Sequence, residues 1–592
     1  MSARHAGFQS ARFSPYRSSR NTRSGSASVA LGLALSLLFS LAPTAPAQSP
    51  VPADAAARVD AIFADLARTD SPGCAVGVIR DGQLLYGKGY GQASIEHTAP
   101  ITTRTVFDIG SVSKHFTAAA IVLLAQQGKL ALDDEVRKYV PELPDYTAAS
   151  GGKKLTIRHL LHHTGGVRNY DTLMALTATD FSGRTGDREA LDYIVRQKEL
   201  NFPPGDDYLY SNSGFFLLSQ IVKKASGKTL REFAAEHMFA PLGMSDSLFL
   251  DDTTLIIPRR ATGYSPKRGG GWDIEMSGFE QTGDGAVQTT VEDFVHWDQN
   301  FETGRVLGAQ GLQWLQTPGV LNDGKKITYA LGLQVHTYKG LRLVEHGGSW
   351  AGYRAHYSRF PDQKLAIVTM CNAANANPQR RTRQVAEVYL GSVMKDEPRP
   401  APPTTAGSQS GGTDAAAWKA YAGMYRSAQI GSVLRVALEE NKLMVRTGNA
   451  PPIEISPVGG GEFRLLQPDT NFRVRFEPAA AGKFKMVRIN SEGTTTSYES
   501  VEPFSPTAVQ LKPFLGAFYS EEADVTYTIY EREAGKLGVR IGKWRELPIE
   551  PLFRDAFSFP MGQLIFSRDA AGRVTGFAVQ AGRVRNIRFV RK

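Results

Sequence analysis

The sequence has very little cysteine, with only Cys74 and Cys371 in 592 residues. Two cysteines exclude a disulfide-based scaffold and any zinc site built from several thiolates, although an exported protein could still form one bridge. The sequence also lacks a basic run interleaved with aromatic residues. Nucleic acid is therefore not an expected partner, and we expect no metal or other cofactor.

Acidic residues are absent from the first 53 positions, where five arginines precede an apolar run. These arginines are Arg4, Arg12, Arg17, Arg20 and Arg23. The apolar run, residues 27–42, is short for a bilayer span and is followed by Pro43. Small residues at Ala45 and Ala47 suit signal peptidase, so residues 1–47 are predicted to be a cleaved signal peptide. The alternative is an uncleaved anchor.

Removal of that leader lowers the net charge from +10 to +5, which is modest for a chain of this length. We therefore expect a periplasmic or secreted protein that keeps no stable membrane anchor after cleavage. The expected partner is a small-molecule or peptide substrate, and the oligomeric state is left open.

The chain is too long for one hydrophobic core, and its predicted secondary structure changes at a linker. Residues 396–416 are rich in proline, glycine, serine and threonine. Residues 50–395 before them read as a strand hairpin, a helical middle, closing strands and a final helix. This order predicts an α/β (α+β) catalytic domain.

Two halves of the C-terminal region repeat each other. Residues 421–425, 442–446 and 452–454 parallel residues 514–518, 536–540 and 548–550, at offsets of 93 to 96 residues. Short alternating strands in each half predict two small antiparallel, lipocalin-like β-barrels, at 417–503 and 508–592. They are either a duplicated unit or two barrels that are similar by chance.

The spacing S-x-x-K occurs three times, at Ser111–Lys114, Ser150–Lys153 and Ser392–Lys395. The second lies in a glycine-rich loop and the third at the end of the last helix, where neither side chain has a fixed register. Ser111 and Lys114 open a long apolar helix and lie one turn apart on the same face. Ser111 is either a nucleophile at the positive end of the helix dipole or a helix cap.

A serine nucleophile needs a proton acceptor, and a lysine can serve when burial lowers its pKa. A nearby tyrosine could then pass the proton to the leaving group. Tyr210-Ser211-Asn212 lies between a Pro-Gly turn and an apolar helix, where a loop could line a cleft. The alternative interpretation is a turn with a capping asparagine.

A third element, His346-Gly347-Gly348, ends the predicted strand LRLVEHGG. Its two glycines would let a substrate backbone approach closely. A second H-x-G triplet, His163-Thr164-Gly165, precedes Tyr210 within a helix-to-turn segment. Only the triplet that starts at His346 therefore lies both on a predicted strand and after Tyr210 in the chain.

In this order the three elements resemble those of the serine β-lactamase and penicillin-binding protein superfamily, over about residues 50–395. The branch with class C β-lactamases, D-alanyl-D-alanine carboxypeptidases and D-aminopeptidases is the most similar. The resemblance implies an antiparallel sheet with a helical domain. It also implies Ser111 as the acyl-enzyme nucleophile, with Lys114 and Tyr210 as the proton-transfer pair.

The same resemblance implies a set of substrate-binding groups. Asn212 would donate a hydrogen bond to the substrate, and His346 and Gly348 would lie on the strand that faces the serine. The backbone N–H groups of Ser111 and Ser349 would form the oxyanion hole. One such donor typically lowers the activation barrier by about 3 kcal/mol.

One departure from the family pattern bears on the substrate. Where many members have K-T-G, this chain has His346 and Gly347, so it lacks a lysine charge and a threonine hydroxyl that suit a substrate carboxylate. D-aminopeptidases of this superfamily share H-G-G and two C-terminal barrels. The resemblance thus favours an exported serine hydrolase, a peptidase or amidase acting on D-amino-acid peptides or amides.

Other functions remain open at this point. An esterase and a β-lactamase or DD-carboxypeptidase of the class C type are alternatives within the same chemistry. A penicillin-binding or cell-wall-binding protein without turnover is an alternative from another class.

Two further groups of residues need an interpretation. His159, His162 and His163 share a predicted helix face, but no carboxylate is spaced to complete a metal site. In the resembling fold, the strands that hold Cys74 and Cys371 are antiparallel neighbours. The resemblance therefore implies a disulfide, with two buried thiols as the alternative.

Overall fold

The computed structural model describes residues 51–179, 183–395, 418–428, 430–448, 451–459, 461–466, 472–489, 495–533, 535–543 and 545–592. The predicted signal peptide and the predicted linker lie outside these residues. Within the described ranges, no helix is both long and apolar enough to cross a membrane.

A helix precedes the first strand of the catalytic region, further helices fill its middle and another closes it, and a short helix lies just before the second barrel. They are α1 Ala55–Ile62, α2 Lys114–Gln126, α3 Ile157–Leu161, α4 Tyr170–Leu176, α5 Asp187–Val195, α6 Asn212–Ser226, α7 Leu230–Ala234, α8 Ala240–Leu242, α9 Val291–Thr303, α10 Gly308–Leu315, α11 Pro378–Leu390 and α12 Ala508–Leu511.

The strands of the catalytic region lie at its two ends, with short ones between. They are β1 Cys74–Arg80, β2 Gln83–Tyr90, β3 Gln92–Ser94, β4 Ala99–Pro100, β5 Phe107–Asp108, β6 Leu248–Phe249, β7 Tyr264–Pro266, β8 Trp272–Ile274, β9 Val287–Thr289, β10 Gln334–Tyr338, β11 Leu341–Trp350, β12 Tyr353–Phe360 and β13 Leu365–Cys371.

The main sheet of the catalytic region is antiparallel, in the order β10-β11-β12-β13-β1-β2. Strand β1 is apolar along its length because helices cover both of its faces. Val76 and Val78 pack towards α1 and α11, whereas Ala75 and Ile79 face the core that contains α2, α6 and α9. This arrangement confirms the predicted α/β (α+β) domain with an antiparallel sheet and a helical part.

Strands β1 and β13 pair so that Cys74 and Cys371 lie opposite each other, and the two residues form a disulfide. The disulfide implied by the resemblance is therefore confirmed, and the alternative of two free thiols is wrong. The bond joins the start of the first sheet strand to the end of the last, across 297 residues of sequence.

Two closed antiparallel barrels follow the catalytic region, which confirms that part of the predicted fold. The first consists of β14 Gly423–Arg426, β15 Val433–Glu439, β16 Lys442–Thr447, β17 Ile453–Gly459, β18 Glu462–Leu465, β19 Arg473–Pro478, β20 Phe484–Ile489 and β21 Thr495–Val501. The second consists of β22 Gly516–Ser520, β23 Val525–Glu533, β24 Lys536–Ile541, β25 Arg545–Pro551, β26 Ala556–Phe559, β27 Gly562–Arg568, β28 Val574–Ala581 and β29 Val584–Arg591.

The repeated sequence segments fall on the same strands of the two barrels. The first pair lies at β14 and β22, the second at β16 and β24, and the third at β17 and β25. The repeat therefore has a structural counterpart, strand for strand, as a duplicated unit would.

The second barrel packs directly on the catalytic region. Leu173 and Leu176 of α4 join the apolar core of this barrel, and Tyr527 Oη donates a hydrogen bond to Leu176 O at 2.7 Å. Beside this contact, Arg168 pairs with Glu522 at 2.6 Å, with both side chains buried. Apolar burial together with a satisfied buried ion pair fixes the barrel against the helices around the candidate site.

Candidate active site

Ser111 lies in a 3-10 turn, Gly110–Ser113, and helix α2 begins only at Lys114. The sequence predicts that Ser111 opens the α-helix itself, so the boundary is corrected by one turn. Gly110 has a φ of +50°, a left-handed conformation that favours glycine and turns the chain out of β5. The Ser111 hydroxyl accepts a hydrogen bond from Lys114 Nζ at 3.0 Å and does not cap the helix.

Lys114 is completely buried, and its ammonium has three acceptors. Besides Ser111 Oγ, Nζ donates to Asn212 Oδ1 at 2.9 Å and to Asp284 O at 2.5 Å. Burial lowers the pKa of Lys114, and the nearby charge of Arg583 lowers it further, whereas the Asp284 carboxylate opposes the change. A neutral amine in this position could accept the proton of the Ser111 hydroxyl.

Tyr210 stands beside this pair in the loop that leads into α6. Its ring centroid lies 4.8 Å from Lys114 Nζ. Its hydroxyl is buried and has no hydrogen-bond partner of normal geometry in the described part of the chain. Burial raises the pKa of Tyr210, and interaction with the Ser111 hydroxyl opposes that rise. The three predicted catalytic side chains are thus brought together.

Asn212 is the first residue of α6, and its side chain is held from both ends. Its Oδ1 accepts from Lys114, and its Nδ2 donates to Asp171 Oδ2 at 2.9 Å. The second Nδ2 hydrogen is left for another acceptor, since an amide nitrogen carries two. The alternative of a capping asparagine is wrong, because the Asn212 side chain bonds to Lys114 and Asp171 and not to the backbone of the helix.

Strand β11 passes close to the turn that carries Ser111. A Cβ added at Gly348 would clash with the carbonyl oxygen of Ile109, and one added at Gly110 would lie 2.8 Å from Ser349 N. Only glycine permits this approach, which brings the Ser349 backbone N–H next to Ser111. The two residues line the same cavity, as a shared oxyanion hole requires.

His346 is buried and uncharged. Its Nδ1 lies 2.6 Å from Gly347 O and its Nε2 lies 3.0 Å from Tyr329 Oη, so Nδ1–H donates to the carbonyl and Nε2 accepts from the tyrosine. Burial and the charge of Lys114 lower the pKa of His346 to about 3. The residue that replaces the family lysine therefore brings no positive charge to the site.

Asp284 also lines the cavity at Ser111, and no sequence motif predicted this residue. The cavity has a volume of about 530 Å³ including its mouth, and Ser111, Asn212 and Ser349 line it together with Asp284. Tyr170 Oη donates to Asp284 Oδ2 at 3.2 Å, and burial raises the pKa of this carboxyl. Its one sequence signal is an isolated aspartate between Gly283 and Gly285.

Arg583 is a second residue that the sequence did not indicate. It lies in the turn between β28 and β29 of the second barrel, and its Cζ is 4.6 Å from the ring centroid of Tyr210. Nothing in the sequence around it predicts this position, because the contact depends on how the barrel packs on the catalytic region.

The three histidines considered for a metal bind separate partners. His159 Nδ1 contacts the Thr156 hydroxyl at 3.0 Å, and His162 Nδ1 lies 3.1 Å from Tyr329 O. His163 Nδ1 accepts from Ser211 N at 3.2 Å. Within the described ranges these rings do not converge on one point.

Comparison with known proteins finds curated relatives named D-aminopeptidase, among them the following two. The protein from Gluconobacter oxydans (strain 621H) is 29% identical over 349 residues, which cover 59% of this chain and 65% of the relative. The protein from Brucella anthropi is 25% identical over 537 residues, which cover 88% of this chain and 95% of the relative. The chain thus spans just under two thirds of the first relative and nearly all of the second.

Among solved structures, the octameric penicillin-binding protein homologue from Pyrococcus abyssi has the same fold over most of its length. It is 22% identical, with a TM-score of 0.53, and the match covers 75% of this chain and 99% of that one. The β-lactamase family model matches residues 59–390, which is more than half of the chain and includes all the motif residues. Fold, motif geometry and family match agree, and the chain belongs to the β-lactamase family.

Proposed function

We propose that the chain is an exported serine hydrolase that forms an acyl-enzyme through Ser111 and releases D-amino acids from the amino end of peptides or amides. One observation carries the proposal: the Ser111–Lys114 pair opens into a cavity that also contains the buried carboxyl group of Asp284. A nucleophile and an anionic group in one cavity suit an acyl group that carries a free ammonium.

Acylation uses the groups around Lys114. The neutral amine takes the proton of Ser111 as Oγ attacks the substrate carbonyl carbon. The carbonyl oxygen becomes an oxyanion that accepts from the N–H groups of Ser111 and Ser349. Collapse of this tetrahedral intermediate breaks the bond to the leaving amine, which receives a proton through Tyr210 from the Lys114 ammonium.

Deacylation reverses these roles with water in place of the amine. A water gives its proton to the Lys114–Tyr210 pair as its oxygen attacks the ester carbonyl carbon, and the second collapse returns the proton to Ser111 Oγ. The products are a free amino acid and the unmodified enzyme.

Asp284 supports a substrate whose acyl group carries a free amino group. Burial raises the pKa of this carboxyl group, and the charge of Lys114 opposes the rise. A substrate ammonium in the cavity would stabilise the ionised form by a charge-assisted hydrogen bond. Short-chain esters and N-acylated D-Ala-D-Ala ends offer no such cation, and the buried His346 does not favour the carboxylate of a β-lactam or a D-Ala-D-Ala end.

The names of the two relatives support the D configuration, and the proposed export rests on the predicted signal peptide at residues 1–47. In this proposal residues 50–395 form the catalytic domain, and 417–503 and 508–592 the two barrel domains. Asn212, His346 and Gly348 shape the substrate site around the three catalytic side chains.

Turnover of a matched substrate panel by residues 48–592 tests the proposal. The panel contains D-alaninamide, L-alaninamide, N-acetyl-D-alaninamide, a short-chain ester, a chromogenic cephalosporin and an N-acylated D-Ala-D-Ala peptide. We expect the highest kcat/KM for D-alaninamide and no turnover by Ser111→Ala, with Ser150→Ala as the matched control. Full activity in Ser111→Ala, or equal rates for D-alaninamide and its N-acetyl form, would contradict it.

A further inference from the structure

Arg583 reaches the candidate site from a tight hairpin of the second barrel. Strands β28 and β29 pair at Ala581 and Val584, so the turn between them consists of Gly582 and Arg583. Gly582 has a φ of +54°, as a two-residue turn requires. A turn this short has few alternative conformations, and it presents the Arg583 side chain over Tyr210.

The catalytic region holds this hairpin by its backbone. Asn201 Nδ2 donates to Arg583 O at 3.0 Å, and Asn201 Oδ1 accepts from Arg585 N at 2.7 Å. The buried Arg168 donates to Arg585 O at 2.9 Å and to Asn586 O at 3.1 Å. These bonds fix the position of Arg583 relative to Tyr210.

Neighbouring arginines of the hairpin have carboxylate partners, and Arg583 differs from them. Arg585 pairs with Asp207 at 3.3 Å, and Arg588 pairs with Glu199 at 2.7 Å. In the part of the chain that the structure describes, no acidic group lies within ion-pair distance of the Arg583 guanidinium. Its charge also lowers the pKa of Lys114. Arg583 is exposed, and an accessible cation without an anionic partner beside the proposed catalytic tyrosine is suited to an anionic ligand.

Arg583 lies on one side of the candidate site, and this position indicates which part of the substrate it would contact. Asp284 and Asn212 line the cavity proposed for the acyl group, whereas Tyr210 and Arg583 are not among the described residues that line it. Tyr210 passes its proton to the leaving amine, so the leaving group must lie beside Tyr210. Arg583 is therefore next to the leaving group.

We propose that Arg583 binds a carboxylate of the leaving group and so selects D-aminoacyl peptides with a free carboxyl end close to the scissile bond. The inference rests on the proposed function for the acyl side of the substrate. A guanidinium binds a carboxylate through two parallel hydrogen bonds, and it supplies the charge that His346 lacks. The preferred substrates are short peptides such as D-aminoacyl dipeptides.

Two dipeptide substrates that differ only in this carboxylate test the inference. D-alanylglycine and D-alanylglycinamide are compared with wild type, Arg583→Gln and Arg583→Lys, at a pH on the plateau of each rate profile. We expect the ratio of kcat/KM for the acid over the amide to fall at least about tenfold in Arg583→Gln, mostly through KM. Arg583→Lys should restore part of the ratio, and Arg588→Gln, the matched control on the same hairpin, should keep it.

An unchanged ratio in Arg583→Gln would overturn the inference, and so would an equal loss for both substrates. If wild type hydrolyses neither dipeptide, the proposed function fails on its own. The same variants are then compared on 3-acetoxybenzoate and phenyl acetate, whose leaving groups differ by one carboxylate. A tenfold fall in that ratio would still support the role of Arg583, and a constant ratio would overturn it.

Discussion

Lys114 Nζ donates a hydrogen bond to Asn212 Oδ1 at 2.9 Å and thereby joins the first turn of α2 to the first turn of α6. The same nitrogen contacts Ser111 Oγ and the backbone of Asp284. The acceptors on Asn212 and Asp284 hold this buried nitrogen in one rotamer beside Ser111, and in the neutral amine its lone pair is left to accept from the Ser111 hydroxyl. This pre-organisation lets the pair act without rearrangement when a substrate binds.

Replacement of Lys114 by alanine should slow acylation strongly. The variant leaves Ser111 without a proton acceptor, and we expect kcat/KM to fall by about 10²–10⁴-fold. Acyl-enzyme formation measured by mass spectrometry under single-turnover conditions separates this step from substrate binding. Lys153→Ala, in a second S-x-x-K segment, is the matched control and should keep wild-type activity. Rapid acylation of Lys114→Ala would exclude lysine as the base.

The pH profile should report the state of Lys114. Because burial lowers its pKa, activity should rise with pH and reach its plateau well below the value of about 10.4 of a free lysine. Arg583→Gln removes a positive charge that lowers this pKa, so the Lys114 pKa should rise and the acid limb should move to higher pH. Arg588→Gln should not move it. A shift to lower pH in Arg583→Gln would contradict the electrostatic account.

Asp284→Asn should remove the preference for a free amino group. The amide keeps the shape of the side chain and can still bond to Tyr170, but it has no charge for a substrate ammonium. We expect kcat/KM for D-alaninamide to fall about 10- to 100-fold relative to that for N-acetyl-D-alaninamide. Equal losses for both substrates would instead indicate that Asp284 positions Lys114 and does not bind the substrate ammonium.

Gly348→Ala should separate the oxyanion hole from the nucleophile. The added Cβ would clash with the Ile109 carbonyl oxygen, so β11 must move away from the turn at Ser111. Loss of one oxyanion donor typically lowers kcat by about 10²–10³-fold. Gly347→Ala is compared with it, because a Cβ at Gly347 would lie 3.3 Å from His356 Nδ1 and would leave the approach of β11 to the turn at Ser111 unchanged. Circular dichroism checks that both variants fold.

The disulfide should contribute to stability and not to catalysis. A Cys74→Ala/Cys371→Ala double variant removes a cross-link between two buried strands that lie far apart in sequence. We expect the free energy of unfolding to fall by about 2–4 kcal/mol, with kcat/KM within about twofold of wild type. Urea denaturation measures the first and turnover of D-alaninamide the second. An unchanged unfolding midpoint would contradict the structural role.

The sequence by itself predicted the architecture and the candidate nucleophile. Local signals singled out Ser111 among the three S-x-x-K segments, because only this segment follows a glycine and leads into an apolar helix, and the resemblance carried by the three motifs implied its role. The two-residue period of the strands and the repeat at 93 to 96 residues predicted the barrels. The order of the three motifs then connected Ser111 to Tyr210 and His346, because their spacing along the chain is readable without coordinates.

The tertiary structure alone decided which charges surround the nucleophile. Asp284 enters the cavity because its backbone carbonyl binds Lys114, and Arg583 reaches Tyr210 because the second barrel packs on α4. Neither residue belongs to a periodic pattern or a motif, and each contact depends on packing between elements far apart in the chain. The electrostatic potential at a site is the sum of contributions from all nearby charges, wherever they lie in the sequence. The order of residues along the chain therefore does not reveal it.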